Sequence, residues 1–114
     1  MSETRQIDPK RAAELIEQGA PAIDVRDSDE YEAGHIDGAR HVPFDRLTAE
    51  SAGIEQNRPV VFYCRSGDRS ATAADAFGES GFDAHSIDGG LMAWEEAGLP
   101  MEGTVVERAN LPPA

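Results

Sequence analysis

Arg58-Pro59-Val60-Val61-Phe62-Tyr63-Cys64-Arg65-Ser66-Gly67-Asp68-Arg69-Ser70 passes from a continuous apolar run straight into a short polar loop. Residues 60–63 have the length and uniform apolarity of a strand covered on both faces. Cys64 therefore stands at the C-terminal end of a buried strand. Behind the loop, Ala71, Ala73, Ala74, Ala76 and Phe77 predict a small-residue helix over 70–80, weakened by Gly78 and ended by Gly81. Strand, loop and helix in that order make one β–α unit of a parallel sheet.

The same alternation extends in both directions. Asp8 before Pro9 is a helix start, since Asp accepts from free backbone N–H groups and Pro has no donor to lose. Ala12, Ala13, Leu15 and Ile16 then form one apolar face, and Gly19 supplies the stop. Residues 21–25 read as a buried strand that delivers Asp24, Arg26 and Asp27 to its end. Ser28 caps a short helix closed by Gly34, a brief strand is expected over 39–42, and a short helix over 44–52. Residues 82–87 read as a strand, Gly89-Gly90 as a turn, and 91–97 as a helix with Trp94 on its apolar side. The expected fold is α/β, a three-layer doubly wound domain around a parallel sheet. One domain over residues 1–100 is expected, followed by a tail, 101–114, that packs as an arm or is disordered.

Composition narrows the function classes. The chain has 114 residues, the size of one domain, and no apolar run approaches the roughly 20 residues of a membrane-spanning helix. The N-terminal residues lack the basic start and apolar stretch of a secretory signal, so cytoplasmic residence is the expectation. Its formal charge of −12, with the basic residues scattered, argues against nucleic acid as a partner. Nine Arg and a single Lys, Lys10, fit a surface adapted to high salt, with ordinary acidic composition as the alternative. The single cysteine cannot form an internal disulfide, and the three histidines show no zinc spacing, so neither metal nor organic cofactor is expected.

The loop carries the chemistry. Ligands of open α/β sheets bind beyond the C-terminal strand ends, where Cys64 lies. Cys64, Arg65, Ser66, Gly67, Asp68, Arg69 and Ser70 can wrap as a cradle of inward-facing amides, with Gly67 free to take positive φ. The following helix adds about half a positive charge. These dipoles, with Arg65 and Arg69, favour a nucleophilic thiolate near neutral pH. The bland alternative, a buried cysteine acting as a small hydrophobe, does not account for two guanidinium groups and a glycine within five positions. Cysteine phosphatases place five residues between thiolate and arginine; here four separate Cys64 from Arg69, and the phosphatase position holds Ser70. A tighter loop suits a smaller reacting atom, such as one sulfur beyond Sγ.

Three ordered motifs add a resemblance. Ile23-Asp24-Val25-Arg26, Glu30-Tyr31, Gly34-His35-Ile36, Gly38-Ala39 and Val42-Pro43 look like the first signature of rhodanese domains. Tyr63-Cys64-Arg65-Ser66-Gly67-Asp68-Arg69-Ser70 resembles their active-site loop, and Asp88-Gly89-Gly90-Leu91, Ala93-Trp94 and Ala97-Gly98-Leu99-Pro100 resemble their closing motif. The resemblance implies a mainly five-stranded parallel sheet and ping-pong sulfur transfer. Cys64 would take the outer sulfur of thiosulfate or a related small anionic donor, hold it as a persulfide and pass it to cyanide, a thiol or a protein acceptor. Arg65 and Arg69 would orient the donor, and the amides from Arg65 to Ser70 would stabilise the negative sulfur. Asp24 and Arg26, with Glu30, read as structural support of the site, while Asp68 sets a negative charge inside an anion-binding loop. His35 reads as a turn residue, and Trp94 and Phe77 as core. The alternatives are a non-enzymatic module that binds an anion or partner or senses oxidants, and a cysteine phosphatase or arsenate reductase.

Overall fold

The computed structural model describes residues 5–105. Along the chain lie β1 (Gln6–Ile7), α1 (Pro9–Glu17), β2 (Ala22–Asp24), α2 (Ser28–Ala33), β3 (Gly34–Ile36) and β4 (Arg40–His41). A 3-10 turn (Phe44–Arg46) and α3 (Ala49–Ala52) follow, then β5 (Pro59–Tyr63), α4 (Asp68–Glu79), β6 (Asp83–Ile87), α5 (Gly90–Glu96) and β7 (Met101–Gly103). Five strands form a parallel sheet in the order β1-β6-β5-β2-β4. The expected α/β fold with a central five-stranded parallel sheet is the observed one.

The apolar run at 60–63 occupies the middle of that sheet, where both faces of a strand are buried. Val60, Phe62 and Cys64 point into one core layer, with Ala52 of α3 and Ala73 and Ala74 of α4. Val61 and Tyr63 point into the other, with Ala12 and Leu15 of α1 and Leu91 and Trp94 of α5. The two-residue period of a strand thus sets Cys64 on the α4 side. Asp24, paired in register with Tyr63, faces the opposite layer.

The α1 start follows the sequence: Asp8 caps it, accepting from the Arg11 amide at 2.8 Å, with Pro9 at the first helical position. Elsewhere the boundaries differ. The helix expected over 44–52 breaks at Leu47, whose backbone is extended, because Thr48 and Ser51 cap each other's amides at 2.9 and 2.8 Å and start α3 afresh. Helix α4 begins at Asp68 rather than at 70, since Gly67, at φ +105°, turns the chain into it. Only Arg40–His41 of the strand expected over 39–42 pair with β2. Strands β1, β3 and β7 were not foreseen.

Of the expected tail, Met101–Gly103 pairs antiparallel with Gly34–Ile36 as a separate two-stranded ribbon. The ribbon depends on bare backbone: a Cβ on Gly34 would overlap the Thr104 backbone, and one on Gly103 the Ala33 carbonyl. Residues 106–114 of the tail lie outside the described residues.

Candidate active site

Cys64 directly follows β5 and is buried, at 1% exposure, with its Sγ facing the N-terminal turn of α4. The Gly67 amide donates to Sγ at 3.1 Å, and Ser70 Oγ stands 3.5 Å from it. Ser70 Oγ also donates to the Gly67 carbonyl at 3.3 Å and lies 2.8 Å from Ser86 Oγ. Cys64, Gly67 and Ser70 therefore close a ring at the sulfur, with Ser86 bonded to Ser70 behind it. The helix behind it runs 12 residues, so its N-terminal dipole faces the same space.

The loop is held from beneath by the turn before α5. Leu91 and Met92 amides donate to the Cys64 and Arg65 carbonyls at 2.8 and 3.2 Å. This close approach requires Gly90, whose φ is +62° and whose hypothetical Cβ would lie 2.6 Å from the Cys64 carbonyl oxygen. Gly90→Ala is expected to lower stability by about 1–3 kcal/mol through left-handed strain alone, with the overlap adding to it. Thermal unfolding midpoints measure this, and a midpoint unchanged from the parent protein would contradict it.

The remaining loop residues separate. Ser66 and Asp68 are exposed, and Asp68 occupies the first turn of α4, where a negative charge suits the helix dipole. Arg69 Nη2 meets Glu30 Oε1 at 3.5 Å, and the same carboxylate oxygen accepts from the Asp27 amide at 3.2 Å. Arg65 instead lines an open depression of about 260 Å³ with Met92, Glu95, Glu96 and Val105. Arg69 thus meets Glu30 of α2, whereas Arg65 lines a depression beside α5.

Asp24 and Arg26 lie on the other face of the sheet as a fully buried pair. Arg26 Nη2 donates to Asp24 Oδ2 at 2.6 Å and Nε to Oδ1 at 2.9 Å, and Nη2 also reaches the Gly34 carbonyl at 2.6 Å. Burial pulls the Arg26 proton affinity down, but the hydrogen bond and charge of Asp24 more than offset it, so the net direction is up. Burial, then the Asp24 charge, push the Tyr63 hydroxyl far above its usual range, and it stays neutral and accepts the Ile36 amide at 3.0 Å. Glu30 adds its negative charge near Arg26, while its Oε1 meets Arg69 and the Asp27 amide.

His35 and His41 stack on either side of Tyr31, with centroids 3.9 and 4.6 Å away. Their rings also meet the Tyr31 and Arg26 carbonyls at 2.9 and 2.7 Å, a packing role for both. Trp94 is core, at 2% exposure, its indole N–H donating to the Pro100 carbonyl at 3.0 Å. Among the described residues, no group of three or more His, Cys, Asp or Glu is arranged to hold a metal, and no helix is long and apolar enough to cross a membrane.

Sequence reasoning missed Ser86. Its signal was positional: Ala84 and Ser86 share one face of β6, so alternation sends a hydroxyl into an apolar layer where only a partner makes it tolerable.

The sequence model of the rhodanese-like domain matches residues 8–97. The chain is 40% identical over 95 residues to the thiosulfate sulfurtransferase GlpE of Pseudomonas fluorescens (strain SBW25), covering 82% of this chain and 87% of that protein. Its identity to the GlpE of Pseudomonas aeruginosa (strain LESB58) is 38% over 96 residues, with the same coverage. The crystal structure of a rhodanese-related protein from Thermoplasma volcanium matches with a TM-score of 0.76 at 26% identity, over 86% of this chain and 97% of that one. The solution structure of a rhodanese-like domain from Anabaena sp. matches with a TM-score of 0.75 at 28% identity, over 99% and 89%. Together with the parallel sheet and the cysteine loop at its C-terminal edge, these matches show that the chain belongs to the rhodanese-like domain family.

Proposed function

We propose that this protein is a sulfurtransferase that carries a sulfane sulfur on Cys64. The observation that carries the reading is the Gly67 amide 3.1 Å from Sγ, at the N-terminal end of α4, where it stabilises negative charge on sulfur. The relatives' name, thiosulfate sulfurtransferase, supports thiosulfate as the donor class.

In the first half-reaction the Cys64 thiolate attacks the outer sulfur of thiosulfate. The S–S bond breaks, and sulfite leaves with the electron pair. The persulfide left on Cys64 sits among the loop amides from Arg65 to Ser70. In the second half, cyanide, a thiol or a protein acceptor takes the outer sulfur and returns the pair to Sγ. Arg69, half-exposed and anchored by Glu30, supplies positive charge for the anion, and Arg65 does so from the other side of the loop. Cys64 is 1% exposed, so small donors suit the site better than bulky ones. Cytoplasmic residence, which keeps a lone thiol reduced, belongs to the same reading.

Intact mass spectrometry after incubation with thiosulfate tests the proposal. The protein is expected to gain the mass of one sulfur atom, lose it on adding cyanide, and release thiocyanate. A mass unchanged by thiosulfate, with no thiocyanate formed, rejects it.

A further inference from the structure

Ser86 is wholly buried in β6, opposite Phe62 of β5, on the sheet face that α4 covers. A hydroxyl in such a layer is destabilising unless it is hydrogen-bonded. Among the described residues its side-chain partner is Ser70 Oγ, at 2.8 Å. We propose that Ser86 is a positioning residue for the Cys64 chemistry, aligning the Ser70 hydroxyl so that the two form a chain of donors ending on Sγ.

Each hydroxyl has one proton to give and two lone pairs to receive. Ser70 Oγ has three neighbours, Ser86 Oγ at 2.8 Å, the Gly67 carbonyl at 3.3 Å and Cys64 Sγ at 3.5 Å. If Ser70 spent its proton on Ser86, none would remain for the sulfur. When Ser86 donates instead, that proton is free for Gly67 or Cys64. A neutral thiol can donate to Ser70, which then turns its proton to the Gly67 carbonyl. A thiolate reverses the choice, because a hydrogen bond to a charged acceptor outweighs one to a carbonyl. Two hydroxyls aligned head to tail towards a charge also polarise each other. No heavy atom has to move between the two states.

Taken with the sulfur-transfer reading, on which its catalytic part rests, this chain acts whenever charge rests on Sγ, in the free thiolate and again as sulfur is delivered. In the persulfide the charge sits on the outer sulfur, one bond beyond the Sγ that Ser70 Oγ meets. As the acceptor attacks that sulfur, the S–S bond breaks and the electron pair stays on Cys64 Sγ, where the hydroxyl chain and the Gly67 amide meet it. Ser86, at 0% exposure, cannot touch the donor, so its effect falls on sulfur delivery and not on donor binding.

The test compares the parent chain with Ser86→Ala in two measurements. First, the rate of Cys64 alkylation by iodoacetamide is followed against pH. The alkaline rise is expected about half to one pH unit higher in Ser86→Ala, with the same plateau, the effect of weakening one hydrogen bond to a charged atom. Charged groups flanking the loop, Arg65, Asp68, Arg69, Glu30 and Asp88, are common to both proteins and cancel in the comparison. Second, discharge of the sulfur-loaded protein by cyanide is expected to slow about three- to tenfold, with KM for thiosulfate within about twofold. Ser86→Thr, which keeps the hydroxyl, is expected to restore the profile. Ile87→Val, which loosens the same strand on its other face, is expected to leave it in place. Coincident profiles for the parent and Ser86→Ala overturn the proposal, as does an equal displacement in Ile87→Val. Failure of the parent chain to load sulfur defeats the proposed function alone, since alkylation still decides the role of Ser86.

Discussion

Asp24→Ala is expected to cost about 3–5 kcal/mol of folding stability, the toll of leaving a buried charge without its partner. Arg26 is 1% exposed, and its guanidinium loses three of its four side-chain hydrogen bonds when the carboxylate goes, keeping only the Gly34 carbonyl. The Tyr63 ring, 5.8 Å from the guanidinium carbon, contributes too little to offset that loss. Because Gly34 opens β3, the damage is expected to spread into the ribbon with β7. Removing both charges together, with Asp24→Leu and Arg26→Met, is expected to recover most of the stability. The net proton affinity of Arg26 is raised in the fold, so its contribution is complete at every pH below its ordinary value and is lost only above it. Stability near neutral pH should therefore not depend on the protonation of Arg26. Urea unfolding of the single and double variants measures all of this; a loss below about 1 kcal/mol for Asp24→Ala would mean that the pair does not clamp the strand end.

Cys64→Ser is expected to abolish thiocyanate formation, with kcat/KM down at least about a thousandfold. Serine is smaller and un-ionised at neutral pH, and its oxygen forms no disulfide-like bond through which sulfur can be held and released. The fold should survive, because the replacing hydroxyl occupies the same space and still meets the Gly67 amide. Matching unfolding curves together with lost activity would place the defect in the chemistry. Activity equal to that of the parent would sink the sulfurtransferase reading, whatever the loop looks like.

Much of the fold was legible because local signals agreed. Asp8-Pro9 starts α1, glycines close several elements, and the apolar run at 60–63 could lie only in the centre of the sheet. Missed elements have the opposite character. Gln6–Ile7 and Gly34–Ile36 are too short to show a period, and each becomes a strand only through a distant partner, β6 or β7. The break at Leu47 depended on a reciprocal Thr48–Ser51 cap that competes with an otherwise helical pattern.

For the site, the loop itself was readable: a cysteine at a strand end, a glycine able to take φ +105°, and the tight spacing to Arg69 all lie within a few residues. The splitting of Arg65 from Arg69 was not, because it depends on where α2 and α5 place Glu30, Glu95 and Glu96. Nor was the burial of Cys64 or its link through Ser70 to Ser86, since residues 64, 70 and 86 meet only once β6 lies beside β5 and α4 packs across both. Sequence alone determined the parallel α/β architecture and the place of the cysteine loop at a strand end, both written in short-range periodicity and turn chemistry. Tertiary structure decided what surrounds the sulfur, because hydrogen bonds between side chains far apart in the chain exist only after the layers have closed.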